Sequence, residues 1–301
     1  MIEQFIGVDW GSTNLRAWLF DGEHCVDSLR SELGVTRFNG QPAAAVFHQV
    51  FDNWLAQYPD GIPVVMAGMI GSNAGWVSTP YQMCPVNLSQ ISQHLMPVEQ
   101  LAPMRGWIVP GIAINQADNF NVMRGEETQL IGAHACQPSD YYVMPGTHSK
   151  WVQMDGDNIA DFRTVMTGEL HHLLINHSLV GAGIGEQREC ADAFKQGMEV
   201  GFNEANIIRR LFETRAAHVL GQLDRSVVQE WLSGLLIGHE VAQMQHQYAD
   251  VKQRGITLIG SQKLVARYLQ AMAFADIPHR TIDGDIAFKS GIRSLVNELE
   301  N

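Results

Sequence analysis

Ile6-Gly7-Val8-Asp9-Trp10-Gly11-Ser12-Thr13-Asn14 is the stretch on which the reading of this chain turns. An apolar run ends in one carboxylate, a Gly-Ser-Thr turn follows, and Leu15-Arg16-Ala17-Trp18-Leu19-Phe20 resumes with Leu15, Ala17 and Leu19 alternating against Arg16, Trp18 and Phe20. Alternation of that period marks a strand. Residues 5–20 therefore read as a hairpin whose tip gathers backbone N–H groups and hydroxyls beside Asp9, a setting that suits a phosphate tail and its Mg²⁺. The same grammar returns at Tyr141-Tyr142-Val143-Met144, Pro145-Gly146-Thr147-His148-Ser149-Lys150 and Trp151-Val152-Gln153-Met154. Either turn alone is an ordinary Asx or Ser/Thr turn. Together they read as two phosphate-type loops, one at the head of each half of the chain. Neither is a Walker A loop, because no GxxxxGK[ST] occurs.

The 301 residues accommodate two domains of ordinary size or one large one. With 46% hydrophobic and 17% charged residues, the chain should bury a core rather than stay disordered. A net charge of −12 offers no basic excess for nucleic acid and disfavours anionic membrane surfaces. An anionic small substrate would need locally clustered cations or backbone donors. Cys25, Cys84, Cys136 and Cys190 are scattered with no CxxC pair, as expected of reduced thiols. No basic-then-apolar leader opens the chain and no run of about 18 apolar residues occurs, so a soluble, cytoplasmic protein is expected.

Working outward, a third strand is expected at 25–29 and an amphipathic helix at 43–55, where Ala43, Val46, Phe47, Val50, Phe51 and Trp54 recur behind Pro42. Pro63-Val64-Val65-Met66-Ala67-Gly68 reads as a buried strand and residues 107–110 as another. Residues 71–110, rich in Pro, Gly, Asn and Ser, read as ligand-binding loops with short elements. Residues 120–135 are expected to form a helix joining two halves. Asp155-Gly156-Asp157 signals a hairpin turn, with a returning strand at 159–166. Helices are expected at 203–220, with Ile207, Ile208, Leu211 and Phe212 on one side, and at 226–248, 261–275 and 285–299.

Gly260-Ser261 ends an apolar strand and opens a helix, a junction that directs free N–H groups and a positive helix end at a ligand, or serves as a routine turn with an N-cap. Arg124-Gly125-Glu126-Glu127 sets a cation and two acids in a mostly apolar segment, where a solvated helix surface is the competing reading. His171, His172 and His177 lack suitably spaced Cys or acidic ligands and read as core or surface histidines. Gly181, Gly183 and Gly185 lack the Rossmann spacing and read as a loop.

Taken in order, these pieces resemble the sugar kinase, heat-shock chaperone and actin superfamily, over nearly the whole chain. The resemblance implies an α/β protein of two ribonuclease-H-like domains with a nucleotide and substrate cleft between them. Residues 6–20 resemble its first phosphate loop, 142–154 the second, 258–271 the adenosine segment, and 285–295, with Ala287 and Gly291, the C-terminal connecting helix. The implied domains are 1–115, which would bind a sugar acid, and 116–301, which would bind the nucleotide, with 116–136 as connecting helix and 285–299 returning to the interface. A closer resemblance, to the 2-keto-3-deoxygalactonate kinase family, is carried by residues 7–18, Arg124-Gly125-Glu126-Glu127-Thr128-Gln129, Pro145-Gly146-Thr147-His148-Ser149-Lys150-Trp151 and Met166-Thr167-Gly168-Glu169-Leu170.

That resemblance implies ATP-dependent phosphorylation of the terminal hydroxyl of a 2-keto-3-deoxy sugar acid. Alternatives are a kinase for another sugar or sugar acid, and an interaction module of the actin or chaperone type switched by nucleotide. Many relatives carry Asp-x-Gly-Thr in the second loop; here Met144 or Pro145 takes the acidic position, so the catalytic base comes from elsewhere. Gly125-Glu126 matches a Gly-Asp pair of related carbohydrate kinases, with Glu127 open as the alternative. On this reading Asp9 holds Mg²⁺. Gly11, Ser12, Thr13, Gly146, Thr147, His148, Lys150, Gly260 and Ser261 hold ATP, while Asn14, Arg16, Arg124, Ser72 and Asn87 hold the sugar acid. A small-molecule substrate is the implied partner; a homo-oligomer is left open.

Overall fold

In the computed structural model, residues 2–299 are described. The chain forms two compact units: residues up to Pro138 with Gln153–Phe162 and the chain from Gly284 onward make one, and Ser139–Val152 with Arg163–Asp283 make the other. This differs from a division near residue 115, and the reason lies in a helix pair described below.

In the first unit, β1 (Gln4–Trp10), β2 (Leu15–Asp21) and β3 (His24–Ser31) form the expected antiparallel meander, with Asp9 opposite Arg16 and Trp10 opposite Leu15. Helix α1 (Ala43–Leu55) follows Pro42 and buries Val46, Phe47, Phe51 and Trp54. Strand β4 (Pro63–Gly68) lies parallel to β1 and is buried at every residue, as a continuous apolar run in a parallel ladder should be. The segment read as loops contributes β5 (Gln82–Met83), β6 (Val86–Asn87), α2 (Leu88–Ser92), β7 (Met96–Val98) and β8 (Arg105–Ile108). The sheet order is β3-β2-β1-β4-β8-β7, with β8 parallel to β4. Its core includes Ile6, Val8, Trp10, Phe47, Phe51, Trp54, Met66 and Ile108. Each such large side chain contributes about 1.5–3 kcal/mol relative to exposure.

Strands β9 (Ile112–Gln116) and β10 (Asn119–Met123) pair antiparallel before α3 (Glu126–Cys136). The single helix expected over 120–135 is thus a strand followed by a helix. Phe120 and Val122, two apart as on one face of a strand, lie exposed on the β10 hairpin, while Met123 is buried. The helix begins only after Gly125, whose φ of 109° breaks the run.

In the second unit, β11 (Tyr141–Met144), β12 (Ser149–Asp155) and β13 (Asn158–Val165) follow, the last two joined through Gly156 at φ 57°. The far end of that hairpin, 153–162, belongs to the first unit, where Asn158 and Ile159 pair with Asn87 and Val86. Then come α4 (Thr167–His177), α5 (Ala191–Phe202), α6 (Ile207–Val219), α7 (Val228–Gln247), α8 (Val251–Arg254), β14 (Ile256–Gly260), α9 (Gln262–Phe274) and β15 (His279–Asp283). Strand β14 runs parallel to β11 and to β15, giving the order β15-β14-β11-β12-β13. Numbered by its own strands, this sheet runs third, second, first, fourth, fifth. The first sheet does the same from β3 through β2, β1 and β4 to β8. The chain therefore carries the ribonuclease-H-like strand order twice, and both expected phosphate hairpins join the first and second strands of their sheets.

Several elements escaped the sequence reading, β9 and α8 among them, and three of these bear on packing or on the site. Helix α5 contains Gly197 and Gly201, which lower helix propensity. The structure uses them for contact, since a methyl group at either would collide with α7 carbonyls of Trp231 or Leu235. Gly234 and Gly238 of α7 meet the Phe194 and Met198 carbonyls in the same way. Strand β15 is a polar, mostly exposed edge strand, and α4 holds the histidine-rich segment. Helix α6 does form, with Ile207 and Leu211 packed on the core as expected, but Ile208 and Phe212 are 77% and 66% exposed while Thr214 and His218 are buried, so the inward side is turned from the expected one.

Helix α10 (Gly284–Glu298) belongs to the first unit and packs on α3. A methyl at Gly132 would collide with the Ala287 carbonyl, and one at Gly291 with the Thr128 carbonyl. This backbone-to-backbone contact places α3 with the first unit rather than with the sequence that follows it.

Candidate active site

In the first unit the site grows from the β1–β2 turn. The loop closes on itself through Gly11 N–H to the Asn14 carbonyl at 2.9 Å. Its remaining carbonyls are held from behind. Val35 N–H donates to Gly11 O at 3.0 Å, Thr36 N–H to Ser12 O at 2.9 Å, and Gly34 N–H to Thr13 O at 3.2 Å. Only glycine fits at 34, because a Cβ would strike the Thr13 and Ser12 backbone. With the carbonyls occupied, Ser12 and Thr13 are exposed and their N–H groups take no acceptor among the described residues. That is the donor arrangement an anion requires. Asp9, Gly11, Ser12, Thr13, Asn14 and Arg16 line one cavity of about 610 Å³.

Arg16 does not face that cavity unattached. Its guanidinium donates to Asp9 Oδ2 at 2.5 Å and to Asp285 at the start of α10, which Arg30 also contacts at 3.1 Å. Burial pushes the Asp9 carboxyl up from its ordinary value, while Arg16 pulls it back down. Arg16 is therefore tied first to acids of the protein, which sequence reasoning, having assigned it to the sugar acid, did not foresee. Asp285 was missed because it lies far away in sequence and carries no motif.

At the start of α3, Glu126 and Glu127 differ in a way their adjacency conceals. Glu127 is fully buried, accepting from Gly125 N–H at 2.7 Å and Thr128 Oγ1 at 3.3 Å. Burial first, and then the neighbouring Glu126 charge, push its carboxyl up to about 8. Glu126 is half-buried and accepts from Arg124 N–H at 3.0 Å. Gly125 packs against Gly68, and a Cβ on Gly68 would lie 3.5 Å from Asp9 Oδ1, so the chain from Asp9 to Glu126 is continuous through two glycines. Arg124 stacks over Tyr81 at 4.4 Å and donates to Thr79 through both terminal nitrogens, in space that a Cβ on Gly71 would crowd. Its buried Nε has no hydrogen-bond partner among the described residues. Ser72 turns its hydroxyl to the Met69 carbonyl at 2.7 Å. Asn87 caps α2 and bonds Asn158 at 3.1 Å, lining a separate groove with Ser89 and Asp155. The structure does not bring Asn87 to the Asp9 cavity.

In the second unit, the β11–β12 turn is locked by the Met166-Thr167-Gly168-Glu169 stretch. A Cβ on Gly168 would meet the Gly146 carbonyl and lie 2.8 Å from Thr147 Cα. Glu169 N–H donates to Thr147 O at 2.9 Å, and its carboxylate lies 2.6 Å from His148 Nε2. Lys150 points the other way, into the core, and is 4% exposed. Gly146 opens onto a cavity of about 350 Å³, within the range of small-ligand pockets. Its other walls include His171, Gln187, Glu230, Lys263, Arg267 and Tyr268. Arg267 is held by Glu230 at 2.7 Å and Ser233 at 3.1 Å. Burial lowers the His171 pKa, and its Nε2–H donates to the Gln229 carbonyl. The first turn of α9 supplies the wall through Lys263 and Leu264 rather than through Gly260 and Ser261 themselves; Ser261 sits at the N-cap position without a side-chain capping bond. The sequence signal for this wall was the Met166–Leu170 motif, quoted but given no role. The Gln187–Glu189 and α7 residues carried none.

Two like sheets, each with a glycine-and-hydroxyl hairpin after its first strand, define a protein of the sugar kinase, chaperone and actin class. Within that class the chain belongs to the 2-keto-3-deoxy-galactonokinase family, whose model matches residues 9–295. It is 53% identical over 301 residues, 100% of both chains, to the 2-dehydro-3-deoxygalactonokinase of Escherichia coli (strain K12). It also matches a crystal structure from Sinorhizobium meliloti, provisionally named as a 2-dehydro-3-deoxygalactonokinase, with a TM-score of 0.88 and 31% identity over 98% of this chain and 99% of that one. Among the described residues no helix is long and apolar enough to cross a membrane.

Proposed function

We propose that the protein is an ATP-dependent kinase that phosphorylates 2-dehydro-3-deoxy-D-galactonate to its 6-phosphate, in the cytoplasm, as a step of galactonate breakdown. The observation that carries this reading is the pair of hairpins: the carbonyls of Gly11, Ser12, Thr13 and Thr147 are held from behind, while the Ser12, Thr13, Gly146 and Thr147 N–H groups take no acceptor among the described residues. Membership of the galactonokinase family supplies the substrate.

In this reading Gly11, Ser12, Thr13, Gly146 and Thr147 hold the phosphates, and the cavity beside Gly146 holds the nucleoside. The second unit is thus the nucleotide-binding part and the first the sugar-acid-binding part. Phosphoryl transfer asks chiefly for position and charge neutralisation. A single carboxylate suits Mg²⁺, which keeps most of its water and takes few protein ligands. Asp9 would hold it, and the ion would supply neutralising charge to the phosphates. Asn14 and Ser72 would bind sugar hydroxyls. The Arg124 guanidinium, fixed by Thr79 and stacked on Tyr81, would meet the carboxylate. Glu126 takes the proton of the attacking hydroxyl. Its half-exposure supports this over Glu127, which is sealed from solvent and engaged with Gly125.

The test compares wild type, Glu126→Gln and Asp9→Asn in the phosphorylation of 2-dehydro-3-deoxy-D-galactonate, with ATP binding measured separately. General-base loss lowers kcat by about 10²–10⁴, so Glu126→Gln should fall by that factor with ATP affinity kept. Near-normal turnover in Glu126→Gln removes it as base. ATP loss by wild type that no sugar acid stimulates removes the kinase reading itself.

A further inference from the structure

One buried carboxylate in the second unit has no part in the scheme above. Glu240, on α7, is 2% exposed. Its Oε1 accepts from Trp151 Nε1 at 2.7 Å, and its Oε2 accepts from the Tyr268 hydroxyl at 2.7 Å and from the Thr167 hydroxyl. The Ser149 hydroxyl joins through Tyr268 at 2.8 Å. These partners come from three separate elements. Ser149 and Trp151 open β12, directly after the Gly146-Thr147-His148 tip. Thr167 is the first residue of α4, next to the Gly168 that touches that tip. Tyr268 lies on α9. Gly146, Thr167 and Tyr268 line the 350 Å³ cavity, and Glu240 does not.

A buried carboxylate is a poor means of stabilising a core. It costs several kcal/mol of desolvation, and an apolar side chain of similar volume commonly serves stability as well or better. Burial raises the Glu240 carboxyl above its ordinary value, against the pull of its hydrogen-bonded neighbours. What an apolar residue could not do is fix the direction of two hydroxyls and an indole at once. The helix that carries Glu240 is itself immobilised two residues earlier, where a methyl at Gly238 would collide with the Met198 carbonyl of α5.

We propose that Glu240 is a positioning residue for the nucleotide: it sets the root of the second phosphate loop, the start of α4 and the pocket face of α9 in one mutual geometry. The inference rests on reading the cavity beside Gly146 as the nucleotide site. Glu240 acts through Thr167, Tyr268 and Ser149 and touches no ligand.

The experiment titrates ADP calorimetrically into the full chain as wild type, Glu240→Gln, Thr167→Val, Tyr268→Phe and the Glu240→Gln/Thr167→Val double variant. Melting temperatures and steady-state KM values accompany each titration. ADP affinity and KM for ATP should each worsen about tenfold in Glu240→Gln and Thr167→Val, with the sugar-acid KM within about twofold of wild type. The double variant should lose no more than the worse single, because one arm acts through the other. If Glu240→Gln fails to fold, Thr167→Val and Tyr268→Phe carry the test. Folded variants that bind ADP within about twofold of wild type overturn the positioning role and leave the nucleotide site standing. Wild type that binds no ADP overturns both.

Discussion

Replacing Glu127 by glutamine separates a buried proton from the shape of the side chain that holds it. Glu127 is fully buried, and its carboxyl is pushed from the ordinary 4.5 to about 8. Between those values the folded chain keeps a proton that the unfolded chain releases. The sign follows: folding is favoured at low pH, and stability falls as pH rises through the window, by about 1.4 kcal/mol per pH unit from this group. By pH 7 the loss is about 3 kcal/mol, and above pH 8 it levels off near 5 kcal/mol. Glutamine keeps an acceptor for Gly125 N–H, now 2.7 Å away, and an amide for Thr128, so it reproduces the protonated acid without its titration. Urea melts of both proteins at pH 5, 6, 7 and 8 are the assay, because every other titrating group cancels in the difference. Glu127→Gln should gain on wild type by about 1.4 kcal/mol per unit between pH 5 and 7. A difference that stays constant across this range, or a wild type that is the more stable at pH 8, refutes the reasoning.

Gly132→Ala should lower the melting temperature by several degrees, since the added methyl meets the Ala287 carbonyl and overpacking costs about 1–3 kcal/mol; calorimetry reads it directly. Arg16→Met removes the cation that draws the Asp9 carboxyl down against burial, so the Asp9 pKa should climb further above its ordinary value. A group raised in the folded state loses stability as pH rises, and the variant should therefore lose more against wild type at pH 8 than at pH 5. Because the two side chains are 31% and 20% exposed, the deficit should be about 1–2 kcal/mol rather than the 3–5 of a sealed pair, as thermal melts at the two pH values would report.

The parts of this molecule that were legible in its sequence are those whose physics is local. Strand alternation at residues 15–20, the apolar run at 63–68 and the helical stripe at 43–55 coincide with β2, β4 and α1 almost residue for residue. The repeated hairpin showed the duplication before any strand order was known. What stayed hidden depends on neighbours remote in the chain. Gly197 and Gly201 look like helix breakers until α7 is laid against them, and β15 looks like a loop until β14 supplies its ladder. Val122 and Met123 join the helical pattern of Leu130 and Ile131 by sequence distance, although the strand ends and Gly125 breaks the run between them. Arg16 illustrates the same limit at the site: a cation two residues past Asn14 invites a substrate, and only the return of α10 shows that Asp285 has a claim on it.

The contact between α3 and α10 has a mechanical consequence. Two helices that meet through side chains have a compliant layer between them, and one can creep along the other as rotamers change. Where carbonyl faces glycine at Gly132 and Gly291, that layer is gone, and the pair behaves as a single gear without backlash. Glu126 stands at the first turn of one member and Asp285 at the first turn of the other. The proposed base Glu126 and the anchor of Arg16 are thereby cut into the same rigid piece, so that neither can be retuned without displacing the other.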